Sequence, residues 1–177
     1  MSVLIEAISV VIRNSTLEER YPGGLRGYRE DCPNRTFCAD EHLSRVGFMV
    51  PDDVGNFVAK LERFGIVPFV DDVAFEVVVV DQMIGPTTEC DWIEGGRYDE
   101  GYSAAWLVGA EPGALCAPEG WTAGQSQRMT LIPLDEMEER LLEVDDQEGL
   151  TTAIDMNTGR EMFIARNHRN STDENDV

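Results

Sequence analysis

Lysine is almost missing from this 177-residue chain: Lys60 stands alone, and 14 basic residues in all face 34 acidic ones, for a formal net charge of -20. A surface of that sign repels nucleic-acid phosphate and anionic lipid, so nucleic-acid and membrane partners are not expected, while basic proteins or cations are attracted. Histidine is scarce too. His168 falls in a polar C-terminal stretch, which leaves His42 to carry any His-dependent chemistry. The four Cys, at 32, 38, 90 and 116, are too sparse for a disulfide scaffold, and reduced thiols are expected. Long apolar runs are lacking: the longest aliphatic run is Val77 to Val80, far short of a membrane span. The N-terminal MSVLIEAISVVIRN has no basic start and is interrupted by Glu6 and Ser9, so no signal peptide is expected and a cytoplasmic location is. A low-complexity linker is lacking as well. One domain over residues 1–166 is therefore expected, followed by a disordered polar tail over 167–177.

What is present is a succession of short apolar segments with punctuation between them. VLIEAISVVI, residues 3 to 12, is β-branched and apolar on both alternating faces, which suits an interior strand. STLE at 15–18 matches a capping box and predicts a helix from about Thr16, broken into two pieces at Pro22-Gly23-Gly24. Thr36–Ala39 and Leu43–Val50 read as a hairpin. Val54, Phe57, Val58, Leu61 and Phe64 then keep helical spacing up to Gly65, and AFEVVVVD at 74–81 reads as another interior strand. The order β-α-β-β-α-β makes the chain α+β, with a ferredoxin-like split βαβ arrangement expected over its first half. In that arrangement the first strand lies between the third and fourth. Beyond it, residues 85–103 read as a turn-rich stretch, 104–109 as a strand, 110–126 as loop and 127–133 as a strand. Leu134, Met137, Leu141 and Val144 predict a helix, and 150–166 a closing hairpin with Gly159 in its loop.

Four groups of residues could carry chemistry. Cys32, Cys38 and His42 fall within eleven positions, but the gap of five residues between the thiols contains Pro33 and lacks the short spacing of a zinc corner. A Cys38–His42 nucleophile pair is opposed by Asp40 and Glu41, whose charge disfavours thiolate. Pro22 to Gly27 is rich in Gly but lacks the Gly-Lys-Ser/Thr ending of a phosphate loop. No motif calls for a cofactor or a metal. Glu6, a carboxylate inside an apolar strand, is expected to pair with Arg45 on the neighbouring strand. The 81–106 segment mixes carboxylates and aromatics, and Glu89, Asp91, Trp92, Glu94 and Tyr98 are its candidate ligand-binding residues.

The strongest charge signal is local. Residues 135–148 hold eight carboxylates and one Arg, a formal charge of -7, on the expected helix. Asp135, Glu136, Glu139, Glu143, Asp145 and Asp146 are the candidate partner-binding residues. A salt-adapted source would spread acid over the whole surface, whereas a specific basic partner would concentrate it. The function expected is a non-enzymatic protein that binds a basic macromolecule, with toxin neutralisation or nucleic-acid mimicry fitting the charge. The alternative is a small-molecule-binding or hydrolase-like domain using the 81–106 segment.

Overall fold

The computed structural model describes residues 1–97, 102–122, 137, 139–147, 150–157, 159 and 161–165. The chain is mixed α+β and divides into two compact units: Met1–Phe48 with Asp52–Thr130, and Leu131–Val177 with Met49–Pro51. The first unit begins with β1 (Ser2–Ile5), β2 (Ile8–Arg13), α1 (Asn14–Arg20) and α2 (Gly24–Glu30). There follow β3 (Cys38–Ala39), β4 (Leu43–Phe48), α3 (Pro51–Arg63), β5 (Phe69–Val70), β6 (Val73–Ala74) and β7 (Val77–Asp81). It closes with β8 (Gly85–Pro86), β9 (Ile93–Arg97), β10 (Ser103–Leu107) and β11 (Leu115–Cys116).

The central sheet has five strands in the order β3-β4-β2-β7-β8, all antiparallel. Its β2 thus lies between β4 and β7, the neighbours expected for the first strand. Successive side chains of a strand point to opposite faces, and both faces here are apolar. On one face Val10, Ile12, Val46, Phe48 and Val77 pack against Leu17, Tyr28, Val54, Phe57 and Leu61 of the three helices and against Tyr21, which follows α1. On the other, Val11, Val78 and Val80 meet Val3, Ile5, Ile93 and Ala105 of a second sheet ordered β11-β1-β10-β9. Each fully buried aliphatic or aromatic side chain contributes about 1.5–3 kcal/mol relative to exposure, so the two apolar layers are the main stabilising term. The α3 helix places Asp52 and Asp53 in its first turn and Lys60 and Arg63 in its last, complementing its dipole at both ends.

Several expectations need correction. The run at 3–12 is two strands, because Ala7 takes a left-handed φ of 47° and sends β1 into the second sheet while β2 stays in the first. The capping box does not form: α1 starts at Asn14, its N-cap Arg13 makes no side-chain cap bond, and Glu18 Oε1 instead accepts from Leu25 N at 3.4 Å. Glu76 separates β6 from β7, its carboxylate accepting from Val67 N at 2.7 Å and pairing with Arg20 Nε at 3.1 Å. The turn-rich stretch contains β9, whose Gly95-Gly96 hides its strand character until β10 pairs with it. The 110–126 loop contains β11, which pairs in parallel with β1.

The second unit is a three-stranded meander of β12 (Leu141–Gln147), β13 (Leu150–Asp155) and β14 (Glu161–Ala165). The expected helix through Leu141 and Val144 is overturned here. Met137, Glu139 and Arg140 are helical, but from Leu141 the chain is a strand. A bulge between Glu143 and Asp145 inserts an extra residue, which disguises the strand's period of two as the spacing of a helix. Arg140 forks onto Asp155, Nε to Oδ1 at 3.2 Å and Nη2 to Oδ2 at 3.0 Å, and Asp155 is only 3% exposed. Gly159 has a φ of 67°, as the expected hairpin loop requires. The expected strand at 127–133 and the tail at 167–177 lie outside the described residues.

Candidate binding surfaces

The polar residues of the interior strands meet at Arg45, which is 1% exposed. Its Nε donates to Ser9 Oγ at 2.9 Å, Nη1 to Thr36 O at 3.1 Å and Nη2 to the main-chain O of Glu6 at 2.9 Å. Burial lowers the proton affinity of the guanidinium, while nearby Cys38 and Glu6 oppose that shift. The expected Glu6–Arg45 side-chain pair is replaced by this main-chain contact, and the Glu6 carboxylate accepts from Trp121 Nε1 at 2.9 Å. The break at Ala7 is the cause, since it turns the Glu6 carbonyl toward β4. Gly47 is required for the same geometry: a Cβ there would lie 2.4 Å from Nη2 of Arg45.

Cys32, Cys38 and His42 are not brought together. Cys32 packs against the apolar cluster under the helices, Cys38 belongs to the cluster between the sheets, and His42 is exposed at the hairpin turn. Burial raises the Cys32 thiol to about 12. Cys38 instead neighbours Cys116, which sequence spacing gave no reason to join to it. A hydrogen bond between the two thiols raises Cys38 and is the largest cause that lowers Cys116 to about 7. At Cys116, burial and Asp40 oppose this shift, and the Ala39 main chain and the N-terminal ammonium assist it.

The 81–106 segment builds a cleft, but with other residues than those expected. Trp92 is a core residue: its Nε1 donates to Ala74 O at 2.9 Å and the Arg13 guanidinium lies 4.6 Å from its ring centre. Glu89 and Asp91 are exposed, and exposed Glu94 accepts from Trp106 Nε1 at 3.1 Å. Tyr98 lies outside the described residues. The cleft, about 310 Å³, has Ile5, Val80 and Ile93 in its lining, with Asp81 to Pro86 on one side and Gly95 to Arg97 on another. Several of its polar groups already hold structure. Asp81 Oδ1 accepts from Met83 N and Ile84 N, Gln82 Oε1 from Ala7 N, and Gln82 O from Ser103 Oγ. Arg97 is exposed at the rim and, among the described residues, is in no ion pair.

Of the acidic segment, Glu143, Asp145 and Asp146 lie on β12, an edge strand of its sheet, and Glu139 lies in the helical turn before it. Glu139, Glu143 and Asp145 are exposed, as are Leu142 and Val144 between them. Asp146 belongs to the same strand, and Asp135 and Glu136 lie outside the described residues. The edge therefore presents carboxylates and apolar side chains together. Among the described residues, no group of three or more His, Cys, Asp or Glu is placed to hold a metal ion, and no helix is long and apolar enough to cross a membrane. Comparison with protein families, with curated proteins and with solved structures finds no match to this chain.

Proposed function

We propose that this chain is a binding protein that captures a basic protein through its acidic surface, with β12 as the contact strand. The observation that carries this reading is the exposed row Leu142, Glu143, Val144 and Asp145 on a sheet edge, in a chain of net charge -20. An edge strand offers unpaired main-chain N–H and C=O groups to an incoming strand. Carboxylates on that edge oppose pairing with a second acidic copy and favour a basic segment, so charge selects the partner and main-chain pairing holds it. Neutralising a basic toxin, or imitating nucleic acid toward one of its binders, belongs to this class of action. The test is capture on the immobilised protein from native cell extract at low and at high salt, followed by mass spectrometry. Basic proteins retained at low salt and released at high salt support the reading; retention that ignores both partner charge and salt refutes it.

A second reading has its own observation. The cleft of about 310 Å³ has a lining that mixes apolar and polar groups and a cation, Arg97, at its rim, which suits a small anionic molecule with an apolar body. Thermal-shift measurements with small carboxylates and phosphate esters test it. A shift that is lost in an Arg97→Ala variant supports a ligand site, and no shift across the series removes it.

A further inference from the structure

Cys38 and Cys116 come from strands at the edges of two different sheets. Cys38 lies on β3, opposite Arg45 of β4, and Cys116 lies on β11, opposite Val3 of β1. The Cys116 thiol donates to the Ala39 main-chain oxygen at 2.8 Å, so the sulfur rests against the residue that follows Cys38. The two side chains share the apolar cluster between the sheets, where Cys38 is 3% exposed and Cys116 is half-buried. We propose that Cys38 and Cys116 form a thiol-disulfide modification site, in which a low-molecular-weight disulfide such as oxidised glutathione converts the adjoining thiols into a bond that ties the two sheets together.

The two thiols are unequal in a way that assigns their roles. Cys116 is the more accessible, and its affinity for a proton is depressed to about 7, so a large share is thiolate at neutral pH. Its sulfur attacks one sulfur of the external disulfide; a mixed disulfide forms at Cys116, and the departing glutathione thiolate takes up the proton that Cys116 had released. Cys38 is buried and keeps its proton while Cys116 is an anion, since it donates to that anion. Once Cys116 is in the mixed disulfide that acceptor charge is gone, and the Arg45 guanidinium, which favours the Cys38 thiolate, is left unopposed by it. Cys38 sulfur then attacks Cys116 sulfur and expels the second glutathione, which leaves with the Cys38 proton. The chain loses two protons and two electrons, and one external disulfide becomes two thiols. Cys32 faces the other side of the central sheet, and burial holds its thiol protonated to about 12.

The experiment treats the reduced full chain with oxidised glutathione at neutral pH, blocks remaining thiols by alkylation and maps the peptides. The expected product carries a Cys38–Cys116 bond with Cys32 and Cys90 alkylated. A Cys38→Ser variant should stop at a stable glutathione adduct on Cys116, and a Cys116→Ser variant should form neither adduct nor bond. Linkage of any other pair, a first adduct on Cys32 or Cys90, or four alkylatable thiols in the wild-type chain under conditions that oxidise the urea-unfolded chain, would each overturn the proposal. The wild-type map decides the matter even if a variant fails to fold.

Discussion

At the scale of single residues, the interior of the first unit is organised around a buried cation with neutral acceptors. A guanidinium has five N–H donors in a fixed fork, and Arg45 directs three of its bonds to Glu6 and Ser9 at the junction of β1 and β2 and to Thr36 before β3. Gly47 sits where any Cβ would collide with that fork. Gly47→Ala should therefore destabilise the chain by about 1–3 kcal/mol, as overpacking does when a well-fitted group must shift. Urea unfolding checks this; an unchanged midpoint would mean that Arg45 has room to move. The thiols give a pH prediction. Alkylation of Cys116 should rise through about pH 7 and level off above it, because the thiolate reacts and its proton affinity lies below that of an ordinary thiol. Cys32, raised to about 12 by burial, should stay slow across the same range. The depressed Cys116 favours the folded state above the ordinary thiol range and loses that contribution as pH drops through about 7, whereas Cys38, raised by the same contact, disfavours the folded state above that range. Mass-resolved alkylation rates measure both.

At the scale of elements, what the sequence revealed depended on whether periodicity was undisturbed. The α3 helix has regular apolar spacing, acid at its start and base at its end, and lies where expected. The interior strands β2 and β7 announce themselves by β-branched runs apolar on both faces. Failures came where one residue altered the count. Ala7 divides a continuous run between two sheets by a backbone angle that no pattern reveals. The bulge in β12 makes a strand imitate a helix, and Gly95-Gly96 makes β9 imitate a turn. Of the candidate partner-binding residues, Glu139, Glu143 and Asp145 are exposed. The cleft residues were missed because Trp92 is spent on the core and Glu89 and Asp91 do not line it. In the second unit, the Arg140–Asp155 fork is the electrostatic fastening visible between the start of β12 and the end of β13. Arg140→Ala should destabilise the second unit, because it removes the forked cation from a carboxylate that is only 3% exposed and that Asn157 N still serves. A loss of less than about 1 kcal/mol in urea unfolding would place that pair with ordinary surface bridges.

At the scale of the whole molecule, charge dominates. With a net charge of -20, this protein carries a negative field that salt screens over a Debye length of about 10 Å at 0.1 M. Such a field raises encounter rates with cationic partners by about 10- to 1,000-fold at low salt and adds little to the lifetime of the complex. The exposed carboxylates Glu139, Glu143 and Asp145 lie on and beside the edge strand β12, and a role for them in capture separates the proposal from one in which acid merely keeps the chain soluble. The deciding measurement is the association rate with a captured basic protein, at low and high salt, for wild type and for the Glu139→Lys, Glu143→Lys, Asp145→Lys variant, with circular dichroism confirming the fold. The account predicts that the variant associates at least about 10-fold more slowly at low salt and that the two rates converge at high salt. Equal rates at low salt, from a folded variant, would contradict it.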